Sequence, residues 1–565
     1  MQVIYNIAQI CFQKGITHAV LSPGSRCAPL TISFARHPGI KTITIPDERS
    51  AAFIGIGIAQ QTKNPSVLIC TSGSAAYNYA PAVAESYYQQ IPLLVLTADR
   101  PPEWIDQLDG QTIRQNNLYG NHVKASFNLP VDYTHPDSKW EVARTISEAI
   151  NLANQYPAGP VHINIPLREP FYPKEEIAFD QDIKIIKEIV SQPVLSEAAW
   201  KVLLDEYLKA GKKLIVAGQH SQSEALIRLL SSSPVPVVSD LISNLHGSRG
   251  VVTKQDIIFS DKNEDVLSGL KPDLLITFGN SLISKNLKNY LRKYKPSLHW
   301  HIQPAGKTAD TFQSLTKVIP VYPEYFFSNL FEKTTGRSNM AFLESWQHQD
   351  SLGHQKLNKF FSGEKTFSEF ETVNEFLKYI PENSILHLAN SMAVRYANYV
   401  GAVGKKNVEV FSNRGTSGID GVISTAYGAA MTTDKIVTVI TGDMSFLYDR
   451  NAFWNNYLPD NLRILILNNH GGGIFRMIDG PASQPEAEEF FVTHQALTAE
   501  NTLKDVNIEY LKVNNRETYY TSLADFFSIS GKSKVLEVET DGKLNTEVWA
   551  RFKKEIEAEP RIESR

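Results

Sequence analysis

A chain of 565 residues is too long for one hydrophobic core and divides into about three domains of roughly 150 residues each. Its 42% hydrophobic and 21% charged residues exclude a disordered chain, and 56 basic against 60 acidic residues leave no basic excess for a nucleic-acid backbone. Cys11, Cys27 and Cys70 form no C-x-x-C pair and no zinc spacing, which excludes a disulfide scaffold and fits a cytoplasmic protein with reduced thiols.

The N-terminal segment has no basic start and no small-residue cleavage site, so it reads as an amphipathic helix and not as a signal peptide. No apolar run approaches the ~20 residues that span a bilayer, so membrane insertion is not expected. Short apolar runs at 17–21, 41–45, 66–71, 92–97 and 161–165 read as strands, with helical patterns such as 49–63 and 75–89 between them. Strand–helix alternation of this kind predicts a parallel sheet covered on both faces. Polar loops follow four of the strands: 22–26, 46–48, 72–74 and 98–102. In such sheets ligands bind beyond the carboxyl ends of the strands, where these loops lie.

A charged stretch at 174–188 reads as a linker, and Cys70 as a buried packing residue. Strands at 213–218, 235–239, 273–279, 299–303 and 318–322 make a second unit, and a polar segment at 347–365 reads as another linker. Strands at 385–388, 408–411, 435–441, 462–467 and 534–539 make a third. The organisation is α/β, in three tandem domains at 1–180, 190–340 and 355–565.

The segment 435–475 is the most informative. A strand ends in Gly442-Asp443, a helix follows at 445–457, and the next strand ends in Asn468-Asn469-His470-Gly471. This unit places Asp443 and Asn469 at the carboxyl ends of two parallel strands. Taken alone, Gly-Asp is a turn and Asn-Asn a strand-end cap. Taken together, an Asp oxygen, an Asn amide oxygen and a backbone carbonyl are hard ligands that suit magnesium, which completes its octahedron with phosphate and water. Gly442 and the glycines after Asn469 let the backbone approach a bulky anion, and a helix start after Asp443 favours phosphate.

The pair resembles the signature of thiamine diphosphate enzymes, Gly-Asp followed by Asn-Asn. The resemblance implies that Asp443, Asn469 and the Gly471 carbonyl hold magnesium or manganese, and that Gly442, Met444 and Ser445 lie on the cofactor. Met444 stands where the usual signature has Gly. Thiamine chemistry also requires a carboxyl group on N1′ of the aminopyrimidine, and Glu48 fits: a strand precedes it and an apolar helix follows. Read locally, Glu48 is a residue favoured by a helix dipole. In the same helix Gly55-Ile-Gly57-Ile-Ala-Gln60 nearly matches G-x-G-x-x-G. It lacks the third glycine and the strand-to-helix turn, so it reads as close helix packing, with NAD or FAD binding unexpected.

Further stretches at 22–30, 96–106, 390–395 and 412–421 closely resemble the 2-succinyl-5-enolpyruvyl-6-hydroxy-3-cyclohexene-1-carboxylate synthases, the MenD family of menaquinone biosynthesis. That resemblance implies three Rossmann-like doubly wound domains of the thiamine diphosphate-binding fold. It implies decarboxylation of 2-oxoglutarate and 1,4-addition of the resulting enamine to isochorismate. Both substrates are dianions, and arginine grips carboxylates bidentately. Family positions that match are Arg26, Arg100, Gln111, Lys285, Arg395 and Arg414 for substrate, Ser391 beside the cofactor, and Ile419 propping thiamine in its bent form. Gly110 stands where relatives often have Asn, and Asn286 where some have Arg. His470 and the cysteines receive no catalytic role. The resemblance also implies a homodimer or homotetramer with Glu48 and Asp443 facing each other across a subunit interface. Other readings are a 2-oxo acid decarboxylase or acetolactate synthase, a flavin or nicotinamide oxidoreductase, and a non-catalytic binder; the arginine set, the missing glycine fingerprint, and the intact Glu48, Asp443 and Asn469 weigh against them in turn.

Overall fold

The protein is described here by a computed structural model covering residues 1–334, 339–401 and 407–557. Three sheets follow one another along the chain, and every strand pair in them is parallel. The first is built from β1 (His18–Leu21), β2 (Lys41–Thr44), β3 (Ser66–Cys70), β4 (Leu93–Asp99), β5 (Ser126–Asn128) and β6 (Pro160–Pro166), in the order 2-1-3-4-6-5. The second uses β7 (Lys213–Ala217), β8 (Val237–Ser239), β9 (Leu274–Phe278), β10 (Leu298–Ile302) and β11 (Lys317–Ile319), in the order 11-10-9-7-8. The third uses β12 (Ile385–Leu388), β13 (Glu409–Phe411), β14 (Val437–Gly442), β15 (Leu462–Asn468), β16 (Glu509–Val513) and β17 (Lys534–Glu539), in the order 13-12-14-15-17-16.

The central strands are buried from end to end because helices cover both faces. Every residue of β3, β4, β6 and β15 is buried. Two edge strands carry no such signal. β5 is three residues of Ser-Phe-Asn, and β16 leaves its middle residues exposed.

Three sequence expectations are corrected. The polar segment 347–365 is no linker, because residues 347–363 continue the 24-residue helix Met340–Gly363. Its buried Leu343, Trp346, Gly353, Leu357 and Phe360 recur at helical spacing, and the polar residues between them face water. The pattern at 75–89 is two helices, Ser74–Asn78 and Ala80–Gln89, with Pro81 at the restart. The helix after Asp443 is short, Asp443–Tyr448, followed by a 3₁₀ turn at Arg450–Phe453. The 174–188 stretch has no helix or strand and lies along the N-terminal helix Gln2–Gln13, with Asn6 Nδ2 donating to Asp180 Oδ2 at 2.7 Å and Lys14 Nζ to the Ile186 carbonyl at 2.8 Å.

One hydrophobic core runs from the first sheet into the third, joining Phe53 and Leu68 to Ile423 and Val439. Its seam is the crossing of helix Glu48–Thr62 with helix Val422–Ala430. A Cβ on Gly57 would lie 1.9 Å from the Thr425 carbonyl oxygen, and one on Gly428 would lie 2.0 Å from the Ile54 oxygen. Only glycine allows the two backbones to meet, so the near-match to a nucleotide fingerprint is a packing surface. The three cysteines are free and buried. Among the described residues no helix is long and apolar enough to cross a membrane.

Candidate active site

Adjacent strands β14 and β15, in register from Val437 opposite Leu462 to Gly442 opposite Leu467, bring Asp443 and Asn469 to one end of the third sheet. Asp443 is 3% exposed. Burial pushes its pKa up to about 6, although Gln495 and the backbone N–H groups of Met444 and Gly471 donate to it. The Gln495 amide reaches Asp443 Oδ2 at 2.7 Å. Asn469 donates through Nδ2 to Glu369 Oε1 at 2.6 Å, and its Oδ1 is buried with no hydrogen-bond partner. A buried oxygen without a donor costs about 1–3 kcal/mol, which a cation would offset. A Cβ on Gly471 would lie 2.8 Å from the Val492 oxygen, whereas one on Gly442 would meet nothing within 4 Å. A buried carboxylate, an orphaned amide oxygen and open space over Gly442 fit a hard divalent cation carrying phosphate.

Around this point the same sheet supplies further groups. Ser445 Oγ donates to the Ile419 carbonyl at 2.6 Å, while the Ile419 side chain is 40% exposed. Ser391 follows β12 with φ +69°, a left-handed conformation that a serine holds only when its surroundings impose it. Burial lowers the pKa of both Arg395 and Arg414; Arg414 lowers that of Arg395 further, whereas Asp240 and Glu85 partly restore that of Arg414. Arg414 Nη1 donates to Asn390 Oδ1 at 2.7 Å, and its Nε is buried without a partner. The loop after Arg414 is gripped from the first sheet. Glu85 accepts from the backbone N–H of Gly415 at 2.7 Å, and from the N–H and hydroxyl of Thr416 at 2.6 Å each.

The first sheet carries the acid. Glu48 opens helix Glu48–Thr62, behind the cap Asp47, whose carboxylate accepts from the N–H groups of Arg49 and Ser50. Glu48 is half-buried, and its Oε2 accepts from Asn78 Nδ2 at 3.3 Å. Asp47 and Arg49 on either side bind the third sheet: Asn451 Nδ2 donates to Asp47 at 2.7 Å, and Arg49 donates to the Tyr448 carbonyl at 2.6 Å. Arg26 follows β1 and Arg100 follows β4. Burial lowers the Arg26 pKa, and Arg100 lowers it further. Arg26 donates to the Leu167 carbonyl at 2.9 Å and lies 4.7 Å over the Phe171 ring. Arg100 pairs with Asp109 at 2.9 Å and donates to the Gly110 carbonyl at 2.9 Å, beside exposed Gln111. A Cβ on Gly110 would meet nothing within 4 Å, so this glycine leaves space beside Arg100.

The predicted cations therefore fall into two groups. The charge neighbours of Arg26 are Arg100, Glu169, Asp109 and Asp99; those of Arg395 are Arg414, Asp256 and Tyr399. Lys285 is exposed at the start of helix Lys285–Lys293 in the central unit. Lys288, three residues on, is the one that senses Arg414 and Asp240. Asn286 is engaged within its own unit, donating to the Asp256 carbonyl at 2.9 Å. Two cavities of about 610 and 690 Å³ lie between other elements, and no predicted site residue lines them. Sequence reasoning missed Glu369, Gln495, Glu85 and Lys288. None sits in a recognisable motif.

The sequence matches two families: "Thiamine pyrophosphate enzyme, N-terminal TPP binding domain" over residues 1–120, and "Middle domain of thiamine pyrophosphate" over residues 183–388. It is 50% identical over 562 residues to the 2-succinyl-5-enolpyruvyl-6-hydroxy-3-cyclohexene-1-carboxylate synthase of Cytophaga hutchinsonii, covering 99% of each chain. The proteins of that name from Christiangramia forsetii and Flavobacterium johnsoniae are 39% and 38% identical, with 97–98% of each chain covered.

Proposed function

The chain belongs to the 2-succinyl-5-enolpyruvyl-6-hydroxy-3-cyclohexene-1-carboxylate synthase family, and from that premise we propose how its own residues perform the reaction. It is a thiamine diphosphate-dependent transferase that decarboxylates 2-oxoglutarate and adds the remaining succinyl unit to isochorismate, a step of menaquinone biosynthesis. The orphaned Asn469 Oδ1 beside buried Asp443 carries the site assignment. With the Gly471 carbonyl these groups would hold magnesium or manganese, and Gly442, Met444 and Ser445 would line the diphosphate. Thiamine diphosphate, when bound, supplies the carbon that takes up the 2-oxo group and the sink for the electron pair left by carbon dioxide.

Glu48 holds the proton that the aminopyrimidine N1′ exchanges. Its half-buried setting against Asn78 keeps the carboxyl oriented. Ser391 and Ile419 shape the space between the two ends of the cofactor, Ile419 by presenting an aliphatic face. Arg26 and Arg100 grip one set of carboxylates, and Arg395 and Arg414 the other. Gln111 and Lys285 complete the substrate contacts. Burial removes competing water from these guanidinium groups and strengthens each ion pair they form. The domains divide at 1–180, 190–340 and 355–565. The enzyme works in the cytoplasm as a homodimer or homotetramer, with Glu48 of one subunit and Asp443 of another on the same cofactor.

The direct test supplies 2-oxoglutarate, isochorismate, thiamine diphosphate and magnesium to the purified chain and seeks the adduct by mass. Adduct that disappears when any one component is left out supports the assignment. Release of carbon dioxide with isochorismate present but no adduct formed would reduce the protein to a 2-oxo acid decarboxylase.

A further inference from the structure

We infer that Glu369 is a positioning residue for the cation site: its carboxylate turns the Asn469 amide so that Oδ1, and not the amino group, faces the cation. The inference rests on the placement of that cation at Asp443 and Asn469. Glu369 is the first residue of helix Glu369–Tyr379, comes 100 residues before Asn469 in the chain, and is 1% exposed. Its backbone N–H donates to Asn545 Oδ1 at 3.0 Å, so the residue is fixed at both ends. Burial pushes its pKa up to about 7, while the Asn469 amide and the nearby Tyr396 hydroxyl lower it.

An asparagine amide has nearly the same shape in either orientation, and its oxygen and nitrogen differ only in what they bind. Nothing in the space around Asn469 need distinguish them by size. A carboxyl oxygen held as an acceptor does distinguish them, because the unprotonated oxygen of an acid, ionised or neutral, only accepts hydrogen bonds. At 2.6 Å from Asn469 Nδ2, Glu369 Oε1 selects the amino group, and a flipped amide would set oxygen against oxygen. The amide oxygen is then left buried and unpaired on the other side. Acids in the first turn of a helix, here Glu369 and Glu371, are ordinarily explained by the helix dipole. Here the carboxylate points inward onto a ligand side chain, which the dipole does not require.

Thermal unfolding of the full chain, with magnesium titrated at fixed thiamine diphosphate, tests this without reference to turnover. Glu369→Leu keeps the volume and removes the acceptor; groups that orient metal ligands typically account for about 10–100-fold in metal affinity, and the half-saturating magnesium concentration should rise by that factor. Asn469→Asp alone places two carboxylates together and should also weaken binding. Combining Glu369→Gln with Asn469→Asp reverses donor and acceptor and should recover most of the loss; this pair carries the test if the leucine variant does not fold. Wild-type half-saturation in Glu369→Leu, or a double variant no better than Asn469→Asp, overturns the inference while leaving the cation site intact. A wild-type chain that gains no stability from magnesium and thiamine diphosphate overturns the site itself.

Discussion

Asp443 and Glu48 are carboxyl groups in opposite settings. Asp443 is enclosed, with its pKa pushed up to about 6 by burial, whereas Glu48 is half-buried and bonded to Asn78. An acid whose folded pKa lies above its unfolded value contributes stability while protonated and loses it as pH rises from about 4 through about 6. A bound cation removes that cost, because it takes the ionised form. The gain in thermal midpoint on adding magnesium and thiamine diphosphate should therefore grow between about pH 5 and pH 7. A gain that stays flat over that range would separate Asp443 from the cation. Glu48→Gln should bind the cofactor as the wild type does and lose at least about 100-fold in turnover, the lower end of what a positioned acid contributes. Thermal shift and steady-state assays on one preparation check both halves. At this scale Asp443, Asn469 and Glu48 were legible because each ends a strand or opens a helix in a recognisable segment. Gln495 and Glu369 were not, since they reach the site from 52 and 100 residues away in the chain and match no pattern.

Helices decide how the first and third sheets meet. The crossing of Glu48–Thr62 with Val422–Ala430 brings backbone against backbone at Gly57 and Gly428. Gly57→Val should destabilise the chain by about 1–3 kcal/mol or more through overpacking, and should lower activity, because Glu48 starts the same helix. A thermal midpoint and turnover within error of wild type would show that the crossing is looser than these contacts indicate. The apolar strands at the centre of each sheet were readable as continuous runs of buried residues. The edge strands β5 and β16 were not, being short or half-exposed. Helix Met340–Gly363 was obscured for a related reason: polar residues dominate 347–359, where the apolar stripe is narrow.

Three parallel sheets in tandem, with polar loops at the carboxyl ends of their strands, were legible from strand–helix alternation alone. How loops from different sheets come together was not, because it depends on how the sheets pack. Within one chain the cations divide into an Arg26–Arg100 group and an Arg395–Arg414 group. Glu85 ties the first domain to the Arg414 loop of its own chain, whereas the proposed assembly assigns Glu48 to the cation site of another. Mixed dimers test this arrangement directly. Glu48→Gln and Asp443→Ala chains, tagged differently and co-expressed, yield heterodimers in which one site has both defects and the other has neither. Each parent should be inactive, and the purified heterodimer should recover about half the wild-type activity per dimer, since one of its two sites is intact. Heterodimers as inactive as their parents would place both residues in one subunit's site, and substantial activity in either parent would contradict the shared cofactor altogether.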